Sequence, residues 1–119
     1  MNFGDALANL KNGKKIARKG WNGKGMYLYL ESFCNEKFLP CVVMYTANRE
    51  FQPGWTCSQA DMLAEDWEVE EQYCIAYKTK NSKMFRETFI SGFSEEDAIR
   101  QLKKIYGDDV IHDIPTIEE

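Results

Sequence analysis

Residues 14–31 carry the strongest structural signal of the chain and read Lys-Lys-Ile-Ala-Arg-Lys-Gly-Trp-Asn-Gly-Lys-Gly-Met-Tyr-Leu-Tyr-Leu-Glu. Residues 14–19 predict a short strand around Ile16, and residues 26–31 are rich in the aromatic and aliphatic side chains typical of strands. Between them stands Asn22-Gly23, a strong signal for a hairpin turn. The sequence therefore predicts an antiparallel sheet that begins with these two strands.

The residues before this hairpin predict a short amphipathic helix over 3–11. Apolar residues recur there at helical spacing, and capping residues flank them. Asn2 is placed to cap the start of the helix and Gly13 to end it. The apolar positions are Phe3, Ala6, Leu7 and Leu10.

The residues after the hairpin predict further strands and one helical turn. Residues 41–46 and 66–70 are predicted strands, whereas residues 51–55 are predicted to be a broken strand or an extended segment, because Pro53-Gly54 interrupts them. Residues 58–64 predict a helical turn capped by Ser58, with Asp61 three residues on. Together these elements make a first module over residues 1–71.

Residues 72–119 read as a ββαβ extension. Two strands over 73–79 and 84–90 precede a helix that starts at Ser94 and ends at Gly107, and residues 110–114 form the last strand. Residues 115–119 are expected to be a loose tail. The predicted buried stripe of the helix is Ala98, Ile99, Leu102 and Ile105. The whole chain is therefore predicted to be an α+β protein, with an extension too small to be stable alone and expected to pack on the first module or on a partner.

Composition excludes several classes of protein. The 119 residues are 44% hydrophobic and 29% charged, which is ordinary for a globular protein. The net charge of −4 does not favour non-specific binding to nucleic acid or to anionic lipid. We expect no membrane span and no secretory signal, and hence a protein of the host cell cytoplasm.

The cysteines do not predict a metal site. They stand at positions 34, 41, 57 and 74 with no close pair, and the single histidine, His112, is distant in sequence. Structural zinc sites show short paired spacings. We expect reduced thiols, no metal and no cofactor.

Charge is strongly segregated along the first module. Residues 11–24 contain six basic residues and no acid, and residues 61–71 contain six acids and no Lys or Arg. One interpretation is two solvated faces that attract each other across a sheet or a subunit contact. The other is a small anion site around the basic segment.

The residue types favour binding over catalysis. The Gly20-x-x-Gly23-x-Gly25 pattern lies between strands and is not a dinucleotide loop, and no nucleophile stands beside the single histidine. We therefore expect no catalytic residue. Residues 18–25 combine three cations, Trp21 and three glycines, which suits phosphate binding and base stacking. A basic hairpin whose tryptophan packs on the core is the alternative.

A second cluster, residues 54–61, places Trp55 before Ser58, Gln59 and Asp61. Ser58 and Asp61 can simply cap a helical turn. Alternatively, Gln59 and Asp61 can read a ribose hydroxyl or a base edge.

Two motifs in this order resemble those of a phage and prophage family. They are Arg-Lys-Gly-Trp-Asn-Gly-Lys-Gly-Met over residues 18–26, and Gly54-Trp55-x-x-Ser58-Gln59-x-Asp61-Met-Leu-Ala-x-Asp66-Trp67. The family includes the Thoeris anti-defence protein of the second kind, a sponge for cyclic ADP-ribose isomers made by bacterial TIR enzymes, and some relatives hold cyclic oligonucleotides. Another member is an anti-CRISPR protein that acts on type II-A nucleases. The resemblance covers about residues 1–71 and does not extend to residues 72–119.

The resemblance implies a homo-oligomer, expected to be a tetramer, that sequesters a small cyclic nucleotide without cleaving it. On this interpretation Trp21 stacks on the adenine and Trp55 forms a second wall. Phosphates are held by Arg18, Lys24 and the amides of Gly23 and Gly25, and polar specificity comes from Asn22, Gln59 and Asp61. Ser58 is a further predicted ligand-binding residue. Direct binding to nucleic acid is not expected. The alternative function is an anti-CRISPR protein that inhibits a type II Cas nuclease by direct binding.

Overall fold

The computed structural model describes residues 1–118, which form two compact units. We call Met1–Val69 the N-terminal unit, and the part that begins at Glu70 the C-terminal unit. No helix within residues 1–118 is long and apolar enough to cross a membrane.

The N-terminal unit is an antiparallel sheet covered by a helix. Its five strands lie in the order β4-β3-β2-β1-β5, so that the first and last strands in sequence are neighbours. Its elements are α1 (Phe3–Lys11), β1 (Ile16–Arg18), a 3₁₀ turn (Lys19–Lys24), β2 (Tyr27–Glu31), β3 (Cys41–Tyr45), β4 (Phe51–Pro53), α2 (Gln59–Leu63) and β5 (Trp67–Val69).

Helix α1 has the bounds and the cap that its sequence predicts. The Asn2 side chain accepts a hydrogen bond from the Asp5 N–H at 2.8 Å, which satisfies one unpaired donor of the first turn. Ala6 and Leu10 are buried against the core residues Ile16 and Leu28. The apolar stripe of α1 therefore covers one face of the sheet.

The link between β1 and β2 differs from the predicted tight turn. Residues 19–24 form a 3₁₀ turn, and Gly25 adopts the left-handed conformation, with φ 70°. A two-residue turn of the Asn-Gly type needs positive φ at both central residues, and neither Asn22 nor Gly23 has it. The connection instead closes through the Gly25 N–H, which donates to the Asn22 carbonyl at 3.2 Å.

The C-terminal unit is a helix packed on a second antiparallel sheet. Strands β6 (Glu71–Lys78) and β7 (Arg86–Gly92) form a long hairpin, followed by α3 (Glu95–Tyr106) and β8 (Ile111–His112). Its core is formed by Tyr73, Ile75, Tyr77, Ile90, Ala98, Leu102 and Val110. These elements and the N-terminal unit confirm the predicted α+β class, with an N-terminal helix and antiparallel sheets.

Two sequence-based expectations for this unit are wrong. Ile105 is 64% exposed, whereas Ala98 and Leu102 are fully buried. The tail expected to be loose contains strand β9 (Thr116–Ile117), which pairs with β6 at Tyr73 and Cys74. A strand of two residues is too short to show the alternating pattern typical of strands, and its partner β6 lies far away in sequence. Glu119 lies outside the described residues.

The close approach of α3 to β7 depends on a glycine. A Cβ atom added to Gly92 would stand 2.9 Å from the backbone nitrogen of Ala98. Helix α3 is capped next to this point, because Ser94 accepts from the Asp97 N–H and the Asp97 carboxylate accepts from the Phe93 N–H. The helix start is therefore fixed on the sheet by backbone contact as well as by side-chain packing.

Candidate functional site

The candidate site is built around the three tryptophans of the chain, which meet in the N-terminal unit. Trp67 is 1% exposed, and the half-buried Trp21 and Trp55 pack against it with ring centroids 5.4 and 6.4 Å away. Both contacts are edge-to-face, a favoured geometry for aromatic pairs. Trp67 thus forms a rigid floor on which the two predicted ligand-stacking residues rest.

The structure brings Trp21 and Trp55 together but does not leave a slot between them. Their centroids are 6.5 Å apart and their planes meet at 78°. A base sandwiched between two rings needs parallel faces about 7 Å apart, twice the contact distance of carbon atoms. Within one chain the two indoles therefore form a corner, and a base would stack on an outer face.

Arg18 is the charged centre of the site. Strand pairing sets Arg18 opposite Trp67. The guanidinium Nε donates to Asp66 at 2.7 Å and Nη1 donates to Asp61 at 2.9 Å. The hydrogen bond from Arg18 lowers the pKa of Asp66, and the two carboxylates raise the pKa of Arg18. The charge of Arg18 is already compensated, so a phosphate at this position would compete with two carboxylates.

Asp61 joins the helical turn α2 to the tryptophan floor. Its N–H donates to the Ser58 hydroxyl at 3.1 Å, and its carboxylate accepts from the same hydroxyl at 2.9 Å. Its carbonyl accepts from the Trp67 indole N–H at 2.8 Å. Ser58 and Asp61 therefore cap the turn as the simpler interpretation predicts, and the same bonds hold them beside Arg18.

Asn22 contributes the least satisfied polar group of the site. Its amide nitrogen donates to Glu68 at 3.1 Å, whereas its buried Oδ1 has no hydrogen-bond partner among the described residues. The role predicted for the Gly25 amide, donation to a phosphate, competes with its bond to the Asn22 carbonyl. Gly23, Lys24 and Gln59 are exposed at the surface of the site.

The basic and acidic segments of the sequence meet in the sheet. Strand β1 lies in the basic segment and pairs with β5 in the acidic one, and the contacts of Arg18 and Asn22 cross between them. The sequence analysis did not identify Asp66 as the partner of Arg18 or Glu68 as the partner of Asn22. The equal and opposite charges of residues 11–24 and 61–71 were the signal for these contacts. The attraction between these segments lies across the sheet, and the exposed lysines of the turn remain on the surface.

The site holds no cluster typical of metal binding, since residues 1–118 contain no group of three His, Cys, Asp or Glu side chains close enough to hold an ion. The nearby Cys57 thiol has a raised pKa because burial, and to a lesser degree Asp61, disfavour its thiolate. Its chemistry is therefore that of a packed thiol and not of an activated nucleophile.

Comparison with known proteins agrees with the motifs of the site. A sequence model of the Tad2-like family, the Thoeris anti-defense 2-like domain, matches residues 1–70. The chain belongs to this family. The curated protein "Thoeris anti-defense 2" of Bacillus phage SP01 is 38% identical over 84 aligned residues, covering 58% of this chain and 93% of that protein.

Membership of the Thoeris anti-defense 2-like family confirms the resemblance read from the two motifs and supports a role in phage anti-defence. All ten predicted ligand-binding residues, from Arg18 to Asp61, lie inside the matched region. Almost all of the C-terminal unit lies beyond it.

Proposed function

We propose that this protein is an anti-defence sponge, which binds a cyclic ADP-ribose isomer or a related cyclic nucleotide and releases it unchanged. Family membership supports the anti-defence role. The ligand class rests on the chemistry of the site, described below, together with what the resemblance implies. The protein would act in the host cell cytoplasm, where such a signal is made.

The observation that carries this proposal is the corner of Trp21 and Trp55 beside an exposed basic turn. Half-buried indoles held on a rigid floor offer stacking surface without a large loss of side-chain freedom on binding. Lys24 is exposed on the same turn, and the buried Asn22 Oδ1 lacks a donor that a ribose hydroxyl or an adenine amino group would supply. These features match an adenine-bearing phosphorylated ligand.

Binding of this kind can be tight without catalysis. Base stacking contributes about 1–3 kcal/mol for each contact, and charge-assisted hydrogen bonds add about 1.5–3 kcal/mol each. A nanomolar Kd corresponds to about 12 kcal/mol. The polar groups of Arg18, Ser58 and Asp61 bond to one another. They therefore serve better as a fixed support than as a proton-transfer system.

The proposal includes a homo-oligomer, with a tetramer as the expected state. The face of the sheet away from α1 carries an aromatic cluster. The ring of Tyr27 stacks on that of Tyr45, and the ring of Tyr45 contacts that of Phe51, each pair with ring centroids 5.0 Å apart. Phe51 is 60% exposed. A second copy that brings its own surface to the open corner of Trp21 and Trp55 would supply the opposite wall of a pocket.

The test is a thermal melt of the full chain with a cyclic ADP-ribose isomer. At one hundred times the Kd, a ligand stabilises the folded state by about 2.7 kcal/mol, which raises the Tm of a domain of this size by about 10–20 °C. Trp21→Ala should abolish the rise, Trp21→Phe should keep part of it, and Phe89→Ala in the C-terminal unit should keep all of it.

Mass spectrometry of the ligand released by heating separates sequestration from cleavage. An unchanged mass supports the sponge, whereas a hydrolysed product would show an enzyme. No Tm rise together with direct co-purification of a type II Cas nuclease would replace the proposal with the alternative inhibitor.

A further inference from the structure

The C-terminal unit contains a cleft that the family match does not reach. It measures about 290 Å³, near the lower end of the volumes of small-molecule pockets. It lies where the hairpin of β6 and β7 meets the end of α3, and its walls include Tyr77, Lys78, Arg86 and Tyr106. The space is sufficient for a ligand of about the size of a nucleoside monophosphate.

The walls of this cleft are positively charged although the chain as a whole is acidic. Residues 78–86 contain four basic residues and no acid, in a protein with a net charge of −4. Lys78 and Arg86 both line the cleft, and none of its lining residues is acidic. Two cations that share a partly enclosed space repel each other, and an anion placed between them relieves that repulsion.

The aromatic part of the cleft is held rigidly. Tyr77 and Tyr106 stack with ring centroids 4.3 Å apart and planes inclined by 28°. Hydrogen bonds with Tyr77 and Thr88 lower the pKa of Tyr106, and the charge of Arg86 acts in the same direction. Strand pairing places Arg86 opposite Tyr77. The positive charge therefore stands beside a fixed aromatic wall with hydroxyl groups.

Hydroxyl and cation donors complete the set. Thr79 and Ser82 line the cleft, and the Ser82 hydroxyl bonds both the N–H and the carbonyl of Met84, which shapes the hairpin loop. The Lys78 ammonium lies 5.2 Å from the ring centroid of Phe85, within the range of a cation–π contact. This contact holds the lysine stem at the cleft without neutralising its charge.

We propose that this cleft is a second binding site, which takes a small phosphorylated ligand between Lys78 and Arg86. The site is formed by the C-terminal unit alone and does not depend on the proposed function of the N-terminal unit. Its volume of about 290 Å³ suits a small molecule better than a nucleic-acid strand, which would lie along an extended groove.

Isothermal titration of the full chain with adenosine monophosphate tests this site. We expect saturable binding that inorganic phosphate displaces, with adenosine binding at least about tenfold more weakly because it lacks the charged group. Arg86→Met and Lys78→Met should each weaken binding by about tenfold or more. Lys104→Met, which removes an exposed cation of α3 outside the cleft, should leave the Kd unchanged.

Trp21→Ala separates this site from the N-terminal one, because it should abolish binding of the cyclic nucleotide and leave binding of adenosine monophosphate intact. Absence of saturable binding, equal affinity for adenosine, or equal affinity in the Arg86→Met variant would each overturn the proposal. Binding of single-stranded DNA without binding of adenosine monophosphate would also overturn it and would indicate a nucleic-acid surface.

Discussion

Removing the guanidinium of Arg18 tests the charged centre of the N-terminal unit. In Arg18→Met the aliphatic stem remains, while both hydrogen bonds, to Asp66 at 2.7 Å and to Asp61 at 2.9 Å, are lost. The side chains of Arg18 and Asp61 are only 25% and 17% exposed, whereas that of Asp66 is 41% exposed. The substitution therefore leaves one carboxylate largely buried and one largely solvated.

The expected cost follows from this difference in exposure. An exposed ion pair contributes at most about 1 kcal/mol, and we assign about 0.5 kcal/mol to the Asp66 contact. The more buried Asp61 carboxylate keeps its hydrogen bond from the Ser58 hydroxyl but loses its counter-charge, which costs about 1–2 kcal/mol. We therefore expect Arg18→Met to lower the free energy of unfolding by about 2 kcal/mol at pH 7.

Tryptophan fluorescence during urea unfolding measures this loss of stability in the N-terminal unit, which contains Arg18. All three tryptophans belong to the N-terminal unit, so their emission follows that unit. The midpoint should fall while the m-value stays constant, as a pure stability change requires. Lys24→Met, which removes an exposed cation from the same turn, is the matched control and should change stability by less than about 0.5 kcal/mol.

The cost should also depend on pH. The hydrogen bond from Arg18 lowers the pKa of Asp66 in the folded state, so its contribution is present above the unfolded pKa and is lost as the pH falls through the folded value. The difference between wild type and Arg18→Met should therefore shrink below about pH 4. A difference below about 0.5 kcal/mol at pH 7, or one that grows on acidification, would refute this account of the ion pairs.

Two further predictions concern packing and thiol chemistry. Gly92→Ala should destabilise the C-terminal unit by about 1–3 kcal/mol, because its Cβ would lie 2.9 Å from the Ala98 backbone nitrogen. Amide exchange in α3 measures it, and Gly20→Ala, with open space around the added atom, is the control. Burial raises the pKa of the Cys57 thiol, whereas Cys34 is exposed. Iodoacetamide at pH 7.5 should therefore modify Cys34 before Cys57. Peptide mapping by mass spectrometry that finds Cys57 modified first would contradict this.

Local sequence signals predicted the elements whose determinants lie within a few residues. The caps of α1 and α3 are side chains three positions from the N–H groups that they bond, so the local sequence is enough to predict Asn2 and Ser94 as caps. The strand β9 could not be predicted, because Thr116 and Ile117 gain their partners only from a strand far away in sequence. The burial predicted for Ile105 is wrong because the next residue, Tyr106, packs against the core in its place and stacks on Tyr77.

The sequence indicated which residues to consider for the candidate site, but it did not predict the contacts between them. The two motifs identified Trp21 and Trp55, but their edge-to-face corner depends on Trp67 arriving beneath them. The two hydrogen bonds of Arg18, to Asp66 and to Asp61, depend in the same way on the register between β1 and β5. Such contacts join distant segments, and no local pattern specifies their distances.

The position of β5 has a consequence for how the protein forms on the ribosome. Ile16 in β1 pairs with Val69 in β5, the last strand of the N-terminal unit. Trp67, also in β5, packs into the same core as Ala6 and Leu10 of α1. A nascent chain that has not yet released its last strand exposes Leu10 and Ile16 without their final cover. Closing this long loop is the slow step expected for non-local pairing, so the corner of Trp21 and Trp55 forms only when the unit is complete.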